Sequence, residues 1–259
     1  MLPSYVPKSI LGVIPARYAS SRFPGKPLAA IAGKTMLQHV WERASQARYL
    51  TNLVIATDDE RIRAAAEDFS AKVVITRADH LSGTDRVAEA ASASNAQIIV
   101  NIQGDEPMID PAAIDAAVLG ILDQEDAPMS TLKTRLFRAS DAADPNIVKV
   151  VTGADGNALY FSRSAIPYAR DSGGPFARDA DSKPAYYKHI GLYVYQRDFL
   201  LAYPDLPVGP LERAERLEQL RALENGFKIR VVETDCDSLG VDTPEDWEKI
   251  SVLFEKTTV

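Results

Sequence analysis

The sequence is short of four things, and each shortage removes a class of protein. It has a single cysteine, Cys236, so an intramolecular disulfide is impossible and a reducing, cytoplasmic setting is expected. Positive charge is in deficit. The 29 Lys and Arg stand against 36 Asp and Glu, a net charge of -7, which argues against a nucleic-acid backbone as the main partner. No stretch approaches the roughly 18 apolar residues of a membrane span, and the opening MLPSYVPKSI has no signal-peptide core, so no membrane insertion is expected. The glycine frameworks of the familiar phosphate loops are also missing. Gly33-Lys34-Thr35 ends like a Walker A motif, but Leu28 stands where its first glycine would be, and no GxGxxG occurs. Neither a P-loop NTPase nor a nicotinamide or flavin enzyme is supported.

What is present alternates. The runs ILGVI (10–14), LVIATD (53–58), KVVIT (72–76) and IIVNIQ (98–103) read as buried strands, and amphipathic segments between them read as helices. MLQHVWERA follows Thr35, with His39 as a structural residue. DERIRAAAEDF and GTDRVAEAASA come next, and Asp110-Pro111 opens AAIDAAVLGILDQ as cap and first-turn proline. This is the pattern of an α/β fold with a mostly parallel central sheet flanked by helices. Beyond about residue 130, Asp155-Gly156 between two β-rich runs predicts a hairpin, so antiparallel strands join the sheet. HIGLYVY and IRVVETD are further strands. The pattern also predicts one helix over LERAERLEQLRALENG and a terminal helix opened by Thr243-Pro244. RDSGGPFARDADSK (170–183) has no periodicity and reads as a loop. The 259 residues can bury one substantial core, as a single α/β domain or a domain with an insertion. The expected organisation is a parallel half over about 10–130, a region joined by antiparallel strands over about 131–225, and a closing strand and helix over about 226–259.

Against this acidic background VIPARYASSRFPGKPL (13–28) stands out, because Arg17, Arg22 and Lys26 fall in a segment stiffened by Pro15, Pro24 and Pro27. Loops at the carboxyl ends of parallel strands are where such folds bind ligands, so these cations are placed to meet a triphosphate. In NIQGDEPMI a strand ends in Gly104-Asp105-Glu106. A carboxylate there, beside phosphates, suits Mg2+. Asp242 is the partner chosen for it, since Thr243 already serves as the helix cap. ITRADHLSGTDR packs Arg77, His80, Ser82, Gly83, Thr84 and Arg86 into one connection. Without a third group for nucleophilic chemistry, it reads as a polar recognition loop for a base. Arg163, His189 and Tyr193 fall in the antiparallel half and gain interest only with an anionic second substrate.

These segments carry a specific likeness. IPARYASSRFPGKPL, TRADHLSGTDR, VNIQGDEPMI, PNIVKVV, ALYFSRSAIPYAR, KHIGLYVY, LERAERLEQLRALENG and GVDTPEDW, in that order over about residues 10–250, resemble the 3-deoxy-manno-octulosonate cytidylyltransferases, or CMP-Kdo synthetases. The resemblance implies a fold of the nucleotide-diphospho-sugar transferase type, a homodimer formed through the later antiparallel region, and Mg2+ as cofactor. It implies CTP and Kdo, an eight-carbon keto sugar acid, as substrates for lipopolysaccharide assembly. Arg17, Arg22 and Lys26 would bind the triphosphate, and Arg77 with Ser82, Gly83, Thr84 and Arg86 would lie near the cytosine nucleotide. Asp105 and Asp242 would hold metal, with these two, Lys26 and Arg22 the catalytic set. Gln103, Arg163, His189, Tyr193, Glu215 and Gln219 would line the sugar pocket. Trp247 replaces an aliphatic residue, which affects packing alone. The alternatives are an 8-amino-Kdo or sialic acid cytidylyltransferase, or a catalytically silent nucleotide-binding module.

Overall fold

The computed structural model describes residues 9–19, 23–124, 126–170 and 185–257; Arg22, and the 170–183 loop after Arg170, lie outside them. In chain order the first elements are β1 (Ile10–Ala16), the short β2 (Ala30–Ile31) and β3 (Lys34–Thr35), α1 (Met36–Ala44), β4 (Asn52–Thr57), α2 (Glu60–Asp68), β5 (Val73–Ile75), α3 (Gly83–Ser92), β6 (Ile98–Asn101) and α4 (Pro111–Leu122). Then come β7 (Met129–Arg135), α5 (Ala139–Ala143), β8 (Lys149–Thr152), β9 (Ala158–Ser162), β10 (Tyr187–Gln196), α6 (Arg197–Ala202), α7 (Pro210–Glu215), α8 (Leu220–Glu224), β11 (Ile229–Glu233) and α9 (Pro244–Thr257). The chain forms two compact units. The first comprises 1–115, 195–204 and 238–259, and the second 116–194 and 205–237.

Unit 1 carries strands in the order β6-β1-β4-β5, all parallel. Ile10, Leu11, Val13 and Ile14 of β1 and Ile98, Ile99 and Val100 of β6 are buried, the unbroken apolar runs of strands covered on both faces. The helices start where the sequence places caps. Thr35 Oγ1 accepts the Gln38 N–H at 3.1 Å, and Asp59 Oδ1 that of Arg61 at 2.9 Å. Ser82 and Asp85 form a reciprocal capping box on α3, as Thr243 and Asp246 do on α9. Trp247 packs with Ile31, Met36, Val241 and Ile250, and its Nε1 donates to Ala30 O at 3.1 Å, a bond that an aliphatic residue could not make. The Walker-like Gly33-Lys34-Thr35 is part of a small hairpin: Ala32 and Gly33 have positive φ and join β2 to β3, which is Lys34–Thr35.

In unit 2 the order is β11-β7-β10, with β11 and β7 parallel and β8 antiparallel to both β9 and β10. The β8–β9 hairpin turns at Asp155-Gly156 as its sequence predicts. The architecture is mixed α/β with a mostly parallel sheet flanked by helices.

One expectation fails. The apolar spacing over 211–226 predicts a continuous helix, yet α7 ends at Glu215 and Arg216 adopts a left-handed conformation with φ 52°. Glu212 pairs with Arg221 at 2.7 Å, and the Glu224 carboxylate accepts the Leu211 and Glu212 N–H groups at the start of α7. Nine residues of straight helix would separate Glu212 from Arg221 by about 13 Å, so only a turned chain can make this pair. Strand β7 escaped the sequence reading because MSTLKTR is polar in composition. Its hydroxyls are buried through bonds such as Ser130 Oγ to Ala117 O at 2.7 Å.

Candidate active site

The carboxyl ends of β1 and β6 lie side by side in unit 1, and a cleft opens beyond them. Pro15, Ala16 and Arg17 line it from the end of β1, and Lys26 and Pro27 from the turn that follows. His80, Ser82, Gly83 and Arg86 come from the start of α3, Gln103, Gly104 and Asp105 from the turn after β6, and Asp242 from the approach to α9. Gly104 is needed for close approach: a Cβ there would stand 2.9 Å from Pro15 O. That contact sets Asp105 beside the end of β1.

The centre of the cleft is a cation between two carboxylates. Lys26 Nζ donates to Asp105 Oδ2 at 2.6 Å and to Val241 O at 2.8 Å, and stands 3.6 Å from Asp242 Oδ1. Val241 N donates in turn to Asp105 O at 2.9 Å, which ties the two acidic segments together. Among the described residues no group of three or more His, Cys, Asp and Glu is arranged to hold a metal. Two oxygen-bearing carboxylates converging on one cation suit Mg2+, which takes one or two protein carboxylates and completes its shell with water and substrate phosphates.

Arg86 is held rigidly. Its side chain is 5% exposed, its Nη2 lies 2.9 Å from Asp58 Oδ1, and its Nη1 donates to Thr76 Oγ1. Glu89 of α3 fastens the recognition loop at two points, accepting from His80 Nε2 and from the Arg77 N–H. Burial pushes the Glu89 carboxyl up, and those two hydrogen bonds outweigh it, leaving the group below the usual carboxylate range. The Arg77 side chain points into solvent and pairs with Asp79 at 3.3 Å. Thr84 is buried inside α3, so neither of these two lines the cleft. Asp58 and Glu89 escaped the sequence reading. Their only signals were a second carboxylate at the end of β4 and a glutamate one helical turn beyond Arg86.

Of the expected sugar-pocket residues, Gln103 lies in this cleft and the other five in unit 2. There the Glu215 carboxylate accepts from Ser162 Oγ at 2.6 Å and the Arg163 N–H at 2.9 Å. Arg163 commits Nε to Glu215 O and Nη1 to Pro145 O. Lys149, wholly buried, donates to the carbonyls of Asp144, Ile147 and Arg163, and burial lowers its pKa. Gln219 is 4% exposed, and its Nε2 has no hydrogen-bond partner among the described residues.

His189 touches Tyr193 and, edge-on, Phe161. Thr131 Oγ1 lies 2.8 Å from Leu192 O and 3.0 Å from Ile190 O, both pure acceptors, so the Thr131 hydroxyl hydrogen points to them. The His189 Nε2, 3.0 Å from the same oxygen, must then be the donor, which leaves Nδ1 as an acceptor. Burial, with a smaller contribution from Lys188, lowers the His189 pKa to about 3. The imidazole is neutral at physiological pH. It can accept a hydroxyl hydrogen but offers no charge to an anionic substrate.

That burial has a pH signature. The unfolded chain protonates His189 near 6.5 and the folded chain only near 3, so between these values the unfolded state holds the extra proton and stability falls as pH falls. The slope from this residue is about 1.4 kcal/mol per pH unit. Denaturant titrations of His189→Gln across that window should show a shallower pH dependence by this amount; a slope equal to the parent's would mean that His189 titrates normally.

A family profile described as Cytidylyltransferase matches residues 11–229. The 3-deoxy-manno-octulosonate cytidylyltransferase of Solibacter usitatus (strain Ellin6076) is 66% identical over 250 residues, 96% of both chains. That of Geobacter sulfurreducens is 53% identical over 244 residues, 93% of this chain and 98% of its own. A solved structure of CMP:2-keto-3-deoxy-manno-octonic acid synthetase complexed with CTP is similar with a TM-score of 0.89 at 44% identity, covering 96% of this chain and 99% of that one. The 4-diphosphocytidyl-2C-methyl-D-erythritol synthase of Anaerococcus prevotii, at 11% identity and a TM-score of 0.62 over 96% of this chain and all of its own, shares the fold alone.

Proposed function

The chain belongs to the cytidylyltransferase family, and from that premise we propose that it transfers CMP from CTP to the anomeric 2-hydroxyl of 3-deoxy-D-manno-octulosonate (Kdo). The products are CMP-Kdo and pyrophosphate, and the activated sugar acid serves lipopolysaccharide biosynthesis. The observation that carries the reading is Lys26 held between Asp105 and Asp242 at the end of two parallel strands. The acceptor oxygen bonds to the α-phosphorus as the α–β bridging bond breaks, so the work is positioning and charge neutralisation, with no protein nucleophile. Arg17, Arg22, Lys26 and Arg86 bind the CTP phosphates and nucleotide, and the start of α3 offers them the Gly83 backbone N–H, that of Ser82 being taken by Asp85. Asp105 and Asp242 hold Mg2+, which when bound neutralises charge on the reacting phosphates. Glu215, Arg163, His189, Tyr193 and Gln219 receive the sugar acid, which would give the Gln219 Nε2 a partner that it does not have among the described residues. A homodimer fits the exposed Phe137, Leu159 and Tyr168 of unit 2, each more than 60% accessible. The lone Cys236 and a nucleotide triphosphate substrate fit the cytoplasm. Among the described residues no helix is long and apolar enough to cross a membrane.

Two measurements test the reading. Turnover of CTP with Kdo, 8-amino-Kdo and sialic acid side by side should favour Kdo; no pyrophosphate release with any of them would point to a silent nucleotide-binding module. Lys26→Ala should raise the KM for CTP at least tenfold and leave that for Kdo within about twofold, as loss of a charge-assisted contact of about 1.5–3 kcal/mol requires. The reverse pattern would move Lys26 to the acceptor side.

A further inference from the structure

The cationic loop is closed at its neck by Tyr18, a residue with no part in the chemistry above. Gly25 N donates to Tyr18 O at 3.0 Å, so the chain leaves the cleft after Arg17 and returns to it at Lys26. Gly25 has φ 72°, which by itself favours glycine. The ring adds a second reason: a Cβ there would stand 3.1 Å from both Cζ and Oη of Tyr18. Past the neck, Lys26 N donates to Phe23 O at 3.2 Å, and Phe23 packs on the cluster of Ile31, Met36, Val241 and Ile250.

The Tyr18 ring has another partner. The Arg61 guanidinium lies 3.3 Å from its centroid, within reach of a cation–π contact. Arg61 is exposed, where such a side chain is ordinarily free to swing, yet it is held as a fork on one carboxylate. Its Nε donates to Asp59 Oδ1 at 2.9 Å and its Nη2 to Asp59 Oδ2 at 2.6 Å. Asp59 is fixed in turn as the cap of α2 and by its own N–H on Thr57 Oγ1 at 3.2 Å. Thr57 ends β4 opposite Ala16, the end of β1. The two strand ends part there and are tied together again by Arg61 on Tyr18.

We infer that Tyr18 is a positioning residue for the nucleotide triphosphate: braced by Arg61, its ring fixes the neck of the loop and brings Arg17 and Lys26 to one ligand. Arg17 and Lys26 line the cleft and Tyr18 and Arg61 do not, so the latter pair acts through the two cations. The inference rests on the reading of the cleft as the CTP site.

The test follows pyrophosphate release and thermal unfolding of the full chain with Tyr18→Phe, Tyr18→Ala and Arg61→Met. The alanine variant should raise the CTP KM at least fivefold and leave the Kdo KM within twofold of the parent. Phenylalanine keeps the ring, and its CTP KM should stay within twofold. Arg61→Met should raise the CTP KM two- to threefold and add nothing to Tyr18→Ala, since it acts through the ring. A ring that serves stability alone would lower the Tm of the alanine variant and leave its CTP KM parental, which overturns the inference. Equal loss in the phenylalanine and alanine variants overturns it too, because the hydroxyl would then act on the ligand itself. If Tyr18→Ala does not fold, Arg61→Met decides, and a parental CTP KM there refutes the brace. Calorimetry of the parent with CTP separates the two readings: no binding means that the cleft is not the CTP site, whereas binding with indifferent variants refutes the role of Tyr18 alone.

Discussion

Asp105→Asn is expected to lower kcat by about 10²–10³ while the fold stays intact. The amide keeps the volume of the carboxyl and can still accept from Lys26 Nζ, so the 2.6 Å contact survives as a hydrogen bond from the ammonium to a neutral acceptor. What disappears is the negative charge at the end of β6, aimed at the place where cations meet the phosphates. Removal of one preorganised charge partner costs about 2.7–4 kcal/mol of transition-state stabilisation. The loss should fall on kcat more than on either KM, because the contact matters most as the bond to pyrophosphate breaks. Rates at saturating CTP, Kdo and Mg2+ decide it: turnover within threefold of the parent would remove Asp105 from the catalytic set. Asp242→Asn should follow in the same direction.

The second large effect concerns Arg86. Replacing it with methionine leaves the Asp58 carboxylate, 23% exposed, without its counter-charge and strips the Thr76 hydroxyl of a donor. Breaking a buried ion pair from one side costs about 3–5 kcal/mol. Because Asp58 retains some water, about 2–3 kcal/mol is expected, a fall in Tm of roughly 5–10 °C for a chain of this size. Part of this is the stranded charge and not the lost bond, so Asp58→Asn combined with Arg86→Met should be more stable than Arg86→Met alone. CTP use should fall in both. Additive losses in the double variant would mean that the two side chains do not interact.

The parallel half was legible because its central strands β1 and β6 are buried on both faces and its helices α1 to α4 open on capping residues, two signals local to a few neighbours. Arg17, Lys26, Asp105 and Asp242 could be singled out for the same reason, since each follows a strand or precedes a cap. Distance in sequence hid the rest. Nothing near Glu212 announces that it will meet Arg221 through a left-handed Arg216, and nothing near Arg86 announces Asp58. His189 was legible as a residue but not as a protonation state. Its neutrality comes from burial, and its tautomer from Thr131 on another strand.

The bond from Lys26 Nζ to Val241 O joins residues 215 positions apart, and Asp242 is fixed by the cap of the last helix. Synthesis from the amino end therefore lays down the cationic loop, the recognition loop and Asp105 long before the second carboxylate exists. Chains stopped short of residue 242 would carry an unpaired half of the machinery, and CTP turnover reports that translation has passed that point.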